Sequence, residues 1–437
     1  MNLTSELIDV APGGDVPPPR LANPRFWRGF LAFFGPGYLV ATGYMDPGNW
    51  ATAIAGGSAF GYKLLFVVMF ANLMAIVLQA LAARLGLATN LDLAQTCRLA
   101  LPRPVSVVLW FTAELAICAT DLAEVIGTAI GLNLLFGLPI LAGCLITAAD
   151  VLLVLAMQRL GFRWIEAFVM TMLLLIAGCF VAQMVLAHPD WRQVGAGLLP
   201  TSDILSQPGM LYIAIGMVGA TVMPHNLYLH SGIVQTTRQI GPGWEARRTA
   251  LRLAVLDAAI ALMMAVLINL ALIVMAAAAF HASGHLDVTD LSDAYRLISP
   301  LLGAPLAATL FAVALLACGL NSTITATLAG QMVMEGFLQI RLPAWARRLL
   351  TRLLAIIPAV AAVLILGEAA IGKLLILSQV VLSLQLPFAM IPLIAFTAQG
   401  GRMGVLVAPR WLTAIASVIA VLIIGLNFYL IAQLLAG

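Results

Sequence analysis

Eleven times along its length the chain runs for about twenty residues with scarcely a charge, which is what a helix needs to cross the hydrocarbon of a bilayer. The runs span approximately 29–56, 62–83, 105–131, 138–157, 164–187, 209–236, 252–280, 303–338, 349–367, 371–397 and 411–435. They are continuous rather than alternating, which excludes a transmembrane β-barrel. Only 9% of the 437 residues are charged, against about 25% in soluble proteins. So few polar groups cannot clothe the soluble domains of roughly 150 residues that the length would otherwise imply. With 22 basic and 19 acidic residues and no dense basic run, a nucleic-acid binder is excluded too. The fold class that remains is an all-α polytopic membrane protein with 11 transmembrane helices.

Lys and Arg set the expected orientation. With the N-terminus inside, only Lys63, Arg192, Arg296 and Lys373 fall outside, and the other eighteen of the 22 basic residues fall inside. The C-terminus is then outside, as is the acidic loop with Asp287, Asp290 and Asp293. Residues 1–25, rich in proline and mixed in charge, read as a flexible cytosolic tail and lack the order of a signal peptide. Cys97, Cys118, Cys144, Cys179 and Cys318 form no C-x-x-C pair and read as small free thiols.

Two of the spans carry matching interruptions. The first contains Tyr44-Met45-Asp46-Pro47-Gly48-Asn49, and the sixth contains Thr221-Val222-Met223-Pro224-His225-Asn226. Each places a proline, with an asparagine two residues later, near the middle of an apolar run. Proline removes a backbone donor and clashes with the preceding turn, and Gly48 loosens the first break further. Freed backbone groups at membrane depth are tolerated where they line a cavity or bind something. Five spans separate the starts of the two broken helices, so the second unit is inverted relative to the first, the arrangement of a transporter with its site between two repeats. The expected division is 26–200 (spans 1–5), 201–400 (spans 6–10) and 401–437 (span 11). Two proline kinks used only for packing are the plain alternative.

Asp46 sits at mid-membrane depth, where a charge costs about 3 kcal/mol or more and marks function. Asn49 offers an amide oxygen, the breaks offer bare carbonyls, and Met223 offers a thioether. Hard cations prefer all-oxygen shells, and a shell that includes sulfur favours softer first-row divalent ions. With 18 Met in the chain, a packing contact is the plain reading of Met223 by itself. In span 3, Glu114, Asp121 and Glu124 are spaced to share one helix face. They read as a proton relay, a structural ion network, or partners of Arg347 and Arg348 near the start of span 9. Asp150 and Asn269 read as packing or gating groups. His225 can carry protons near neutral pH, and His230 reads as a satisfied interior histidine. Gln379 reaches the central cavity as a ligand or bridges helices.

Asp46-Pro47-Gly48-Asn49 and Met223-Pro224-His225-Asn226, continued by Leu227-Tyr228-Leu229-His230-Ser231, resemble the Nramp family of divalent-metal transporters. Ala119-Thr120-Asp121-Leu122-Ala123-Glu124, Gly330–Phe337 and Leu377–Ser383 look family-like as well, so the resemblance covers roughly residues 30–435. It implies a LeuT-like fold of two inverted five-helix repeats plus one helix, with helices 1 and 6 unwound at mid-membrane. It implies proton-coupled uptake of Mn²⁺, Fe²⁺ and similar ions such as Cd²⁺ and Co²⁺ by alternating access. By motif position it implies metal ligation by Asp46, Asn49 and Met223, by the carbonyls of Gly43 and Ala220, and in some conformations by Gln379. Asp46, His225, Glu114, Asp121, Glu124, Arg347 and Arg348 match the network tied to proton movement. The expectation is therefore a multi-pass transporter of a prokaryotic inner membrane, with metal ions, protons and lipid as its partners. It is no enzyme and has neither a cofactor nor an obligate protein partner. The rivals are a passive divalent-cation channel and a Na⁺-coupled amino-acid carrier on the same scaffold. An intramembrane metalloenzyme is disfavoured, because His225 and His230 are not spaced as H-E-x-x-H.

Overall fold

The structure is a computed structural model, and it describes residues 36–147, 156, 162–236, 243–339, 344–367 and 370–436. The N-terminal tail, Asp150, and the side chains of Arg347 and Arg348 lie outside the described residues. Among the described residues there is no strand.

The first span is two helices, α1 (Pro36–Gly43) and α2 (Pro47–Phe60). A 3₁₀ turn over Gly61–Leu64 leads into α3 (Leu65–Thr89). The short α4 (Leu93–Ala100) follows, started by a capping box of Asp92 and Gln95. The long α5 (Arg103–Phe136) comes next, and α6 (Ile140–Ile146) opens the fourth span, whose remainder is almost entirely outside the described residues. Then come α7 (Phe162–Ala187), the short α8 (Trp191–Gly197) and α9 (Asp203–Ser206), and the broken sixth span as α10 (Met210–Val222) and α11 (Pro224–Ile233). The rest are α12 (Trp244–Ala276), α13 (Leu291–Leu302), α14 (Leu306–Leu338), α15 (Ala344–Leu366), α16 (Ile371–Thr397), α17 (Gly400–Met403) and α18 (Arg410–Ala436). Eight stretches among the described residues are long and apolar enough to cross a bilayer, and one of them, Pro47–Thr89, holds both α2 and α3.

The seventh helix starts at Trp244 rather than near residue 252, and its first turns carry Arg247, Arg248 and Arg252. A helix does not stop where the hydrocarbon stops. Its hydrogen bonds are internal, so charged turns extend it into the headgroup layer.

The centre of the bundle is made of α1, α2, α5, α10, α11, α14 and α16, which pack on one another. Lipid tails are as apolar as leucine, so close backbone approach at small residues holds such helices together. A Cβ at Gly319 of α14 would strike Thr128 of α5, and one at Gly219 of α10 would strike the backbone of α16 at Gln379 and Ser383. The flanks of α7 and α18 instead present Leu174, Val181, Val185, Val418, Val421 and Phe428 outward. At the far end of α2 the α12–α13 connection folds back on Ser58. Its hydroxyl donates to the His285 carbonyl at 2.7 Å and accepts from the Val288 N–H at 3.1 Å, while His281 Nδ1 lies 2.8 Å from the Ser58 carbonyl.

Candidate functional site

The first break is short and fully accounted for by its residues. The last turn of α1 tightens, with Tyr44, Met45 and Asp46 each donating to the carbonyl three residues back. Asp46 then turns extended (φ −62°, ψ 160°) and caps α2, its Oδ1 accepting from the Asn49 N–H at 2.9 Å. Asp-Pro-Gly-Asn is thus a helix start placed in mid-membrane: an acidic N-cap with proline at the first helical position.

The second break is a single residue. Met223 closes α10 through its N–H to the Gly219 carbonyl and opens α11 through its own carbonyl to the Asn226 N–H, both at 3.1 Å. Its φ of 43° and ψ of 98° are unusual for a residue with a Cβ. The following proline explains part of this, because its ring disfavours the helical region for the residue before it.

Each proline also leaves one carbonyl without its helical partner, four residues upstream. For Pro47 that carbonyl belongs to Gly43, where the Asp46 N–H takes it up at 3.3 Å, and for Pro224 it belongs to Ala220. The two asparagines reach across to the other break. Asn49 Nδ2 donates to the Tyr44 carbonyl at 2.7 Å and to the freed Ala220 carbonyl at 3.4 Å. Asn226 Nδ2 donates to the Val40 carbonyl at 3.4 Å and to Met223 Sδ at 3.6 Å. Gly43 faces the Asn226 amide so closely that a Cβ there would displace it. Gln379 of α16 closes a third side, donating through Nε2 to Asp46 Oδ2 at 3.4 Å, and Gly48 leaves room for its amide.

The structure therefore brings Asp46, Asn49, Gly43, Ala220, Met223 and Gln379 together, and all six are buried. Asp46 is the one ionisable group among them. Two ion pairs among the described residues, Lys63–Asp203 and Arg296–Asp293, lie at the periphery. Among the described residues no three His, Cys, Asp or Glu side chains converge as a metal cluster. The arrangement instead combines one carboxylate, amide and backbone oxygens, and a thioether, a set suited to a borderline-soft dication.

His225 packs beside this site with Nδ1 3.4 Å from the Thr120 hydroxyl of α5, and its buried Nε2 has no hydrogen-bond partner. Glu114, Asp121 and Glu124 are buried on α5. Thr120, Glu124 and Gly127 succeed one another on the face that meets the first break, and a Cβ at Gly127 would overlap the ring of Pro47. Cys318 of α14 donates its thiol to the Met45 carbonyl and lies within Coulombic range of both Asp46 and Glu124. The helix that bears Arg347 and Arg348 packs on α5.

Several groups at the site carried no distinctive motif in the sequence. The Tyr44 carbonyl accepts from both Asn49 and Asn269, the latter at 2.8 Å. Its hydroxyl accepts from Gln79 Nε2 at 2.9 Å and lies 3.4 Å from the Val222 carbonyl. Gln79 Oε1 in turn lies 2.9 Å from His230 Nδ1. His230 is thus tied into the bundle through Nδ1 only, its buried Nε2 having no hydrogen-bond partner, so it is not the fully satisfied histidine expected, and Asn269 holds the backbone of the first break. Gln79 had one faint signal, a lone polar side chain in an apolar run, and Thr120 stood beside Asp121 in the family-like run of α5.

Residues 37–433 match the family model described as natural resistance-associated macrophage protein-like. The chain belongs to the Nramp family. Similar relatives include the divalent metal cation transporter MntH of Agrobacterium fabrum, 60% identical over 93% of this chain and 88% of that one. MntH of Xanthomonas campestris is 59% identical over 94% and 93%. A crystal structure of the Eremococcus coleocola manganese transporter is 40% identical, covers 97% of this chain and 90% of that one, and superposes with a TM-score of 0.87. MhsT in complex with L-phenylalanine, at 15% identity and a TM-score of 0.60, shares the fold alone. The architecture is the LeuT-like one, and the Nramp relatives are named as transporters rather than enzymes.

Proposed function

We propose that this Nramp protein imports divalent transition-metal ions, Mn²⁺ and Fe²⁺ with Cd²⁺ and Co²⁺ as related cargo, by alternating access coupled to proton co-transport. The observation that carries this reading is the reciprocal bridge between the breaks. Asn49 reaches the carbonyl that Pro224 freed, while Asn226 reaches the first helix, so one pocket is built from both halves of the chain. That pairing supports residues 26–200 and 201–400 as inverted repeats, with residues 401–437 appended. The printed names of the relatives, divalent metal cation and manganese transporters, agree with this cargo.

The metal enters with Asp46, Asn49, Met223 and the carbonyls of Gly43 and Ala220 as its ligands, and Gln379 joins when the halves close. Its charge replaces the dipoles that now face Asp46 and displaces protons from Asp46 or its neighbours. Protons leave past His225 and Thr120 to the Glu124, Asp121 and Glu114 face of α5, towards Arg347 and Arg348. With the arginine-rich end in the cytoplasm, the membrane potential favours entry by about 2.3 kcal/mol per unit charge per 100 mV.

Proteoliposomes holding Mn²⁺ and pH indicators test this. Saturable Mn²⁺ uptake with acidification of the lumen is expected. Flux that rises linearly with Mn²⁺ and leaves the luminal pH unchanged identifies a passive channel. Uptake of an amino acid that requires Na⁺ identifies the other rival.

A further inference from the structure

At the arginine-rich end, a cavity of about 370 Å³ opens between the end of α3, the first turn of α12 and the α16–α18 connection. Its walls include Ala88, Trp244, Arg247, Arg402, Gly404 and Leu406, and among the described residues no carboxylate lines it. None of the site residues described above touches it.

The arginines are fixed in place. Arg247 Nη1 donates to the Ala88 carbonyl at 3.3 Å, which also caps the end of α3. Arg84 Nη1 donates to the Leu406 and Val407 carbonyls at 3.0 and 3.2 Å, and so holds the turn that forms one wall. The Arg402 guanidinium stacks 4.6 Å from the Phe396 ring, and its buried Nη1 has no hydrogen-bond partner. Arg248 stacks on Trp244 at 5.6 Å, adding positive charge beside the opening. No ion pair is formed by Arg84, Arg247, Arg248 or Arg402 among the described residues. Gly243, the N-cap of the 33-residue α12, and Trp244 contribute to the wall, so the positive end of this helix lies at the same space, and its first turn carries one exposed carboxylate, Glu245.

A second observation sets the depth of this cavity. Trp164, Trp244 and Trp411 stand at the starts of α7, α12 and α18, and they are 61%, 52% and 64% exposed. Exposed tryptophans at helix starts that the arginine distribution assigns to one side of the bilayer mark the headgroup layer there. A cavity at that level, lined by cations that lack acidic partners, matches one chemistry: a phosphate whose oxygens take the fork of arginine.

We propose that this cavity binds the phosphate of an anionic lipid headgroup and thereby ties α3, α12 and the α16–α18 turn to the lipid surface. A free phosphate ion presents the same oxygens, so the test separates the two sources. Delipidated transporter in a non-ionic detergent is titrated with phosphatidylglycerol, with phosphatidylcholine and with sodium phosphate. The readouts are the thermal midpoint and the lipids retained in native mass spectrometry. Phosphatidylglycerol should stabilise the protein saturably and phosphatidylcholine should not. The double variant Arg247→Gln/Arg402→Gln should weaken the response about tenfold or more. Arg103→Gln, an exposed arginine at the start of α5 and away from the cavity, should leave it unchanged. If the double variant does not fold, Arg402→Lys replaces it and should keep a reduced response. Stabilisation by sodium phosphate that competes with the lipid assigns the site to a soluble anion. Equal responses to the two lipids, or an unaltered response in the arginine variants, overturn the proposal.

Discussion

The two breaks echo each other in sequence and differ in physics. The first is a relaxed structure. Three residues leave the helix, Asp46 takes an ordinary extended conformation, and its carboxylate caps the helix that follows. The second is a constrained one, in which Met223 alone turns the chain at φ 43°. The difference separates two jobs. The first break offers a charge whose position comes from local capping. The second offers a sulfur and a freed carbonyl whose position depends on neighbours holding an unfavoured backbone. A residue in such a conformation costs of order 1–3 kcal/mol and persists only where its surroundings over-determine it. Asn226, Tyr44 and the α16 backbone provide that constraint.

The comparison breaks most sharply at Asp46. Asp46→Asn keeps an oxygen able to cap α2 but removes the charge, and Mn²⁺ uptake should fall to background. If the variant transports normally, the carboxylate is only a cap. A large effect is also expected where the first break leans on α5. Gly127→Leu would drive its side chain into Pro47, and overpacking of this kind costs typically about 1–3 kcal/mol. The thermal midpoint should drop, with uptake reduced even when the yield of folded protein is matched.

The second break should respond differently. Met223→Gly and Met223→Ala both empty the space of a fully buried side chain, which costs about 2–5 kcal/mol, but only glycine relieves the positive φ, so Met223→Gly should be the more stable of the two by about 1 kcal/mol at most. Isothermal titration should at the same time show Cd²⁺ binding weakened more than Mn²⁺ binding, since the softer ion depends more on sulfur. A Met223→Gly variant less stable than Met223→Ala would mean that the backbone there is not strained, and unchanged Cd²⁺ binding would mean that the thioether is no ligand. In uptake, Met223→Ala should keep much of its Mn²⁺ transport while Ca²⁺ begins to compete.

The smallest expected effect lies outside the membrane. Burial at the start of α4 pushes the Asp92 carboxyl up from its usual range to about 7. The folded chain thus holds this proton to a higher pH than the unfolded chain does. This carboxyl therefore favours the folded state most below about pH 4, loses that contribution as the pH rises to about 7, and contributes no further pH dependence above that. Asp92→Asn should flatten this part of the thermal stability profile, while metal uptake stays near that of the wild type. A profile unchanged by the substitution would show that Asp92 does not titrate in that window.

Much of the molecule was legible from its residues, because the bilayer narrows the choices. Backbone groups in hydrocarbon must pair internally, so long apolar runs can only be helices. Pro47 and Pro224, each followed two residues on by an asparagine, mark the interruptions, whereas Pro387 and Pro392 stay inside the continuous α16. The carboxylate and the thioether were visible as a charge and a motif in the wrong place for lipid. What the runs do not reveal is where a helix ends, as at Trp244, because internal hydrogen bonding continues past the lipid boundary. Nor do they reveal Gln79, Thr120, Asn269 and Cys318 at the site, whose roles come from partners 35 to 273 positions away.

The sequence by itself determined that this is a helical membrane chain, broken twice, with an anionic group at the first break and a thioether at the second. The reason is that local rules are absolute in lipid: a missing N–H frees a definite carbonyl. Only the tertiary structure decided that the carbonyl freed by one proline meets the asparagine that follows the other, and that three further helices close around the pair. Those contacts depend on the small residues that let backbones approach, and no local rule ties a glycine in one helix to the proline it must accommodate in another.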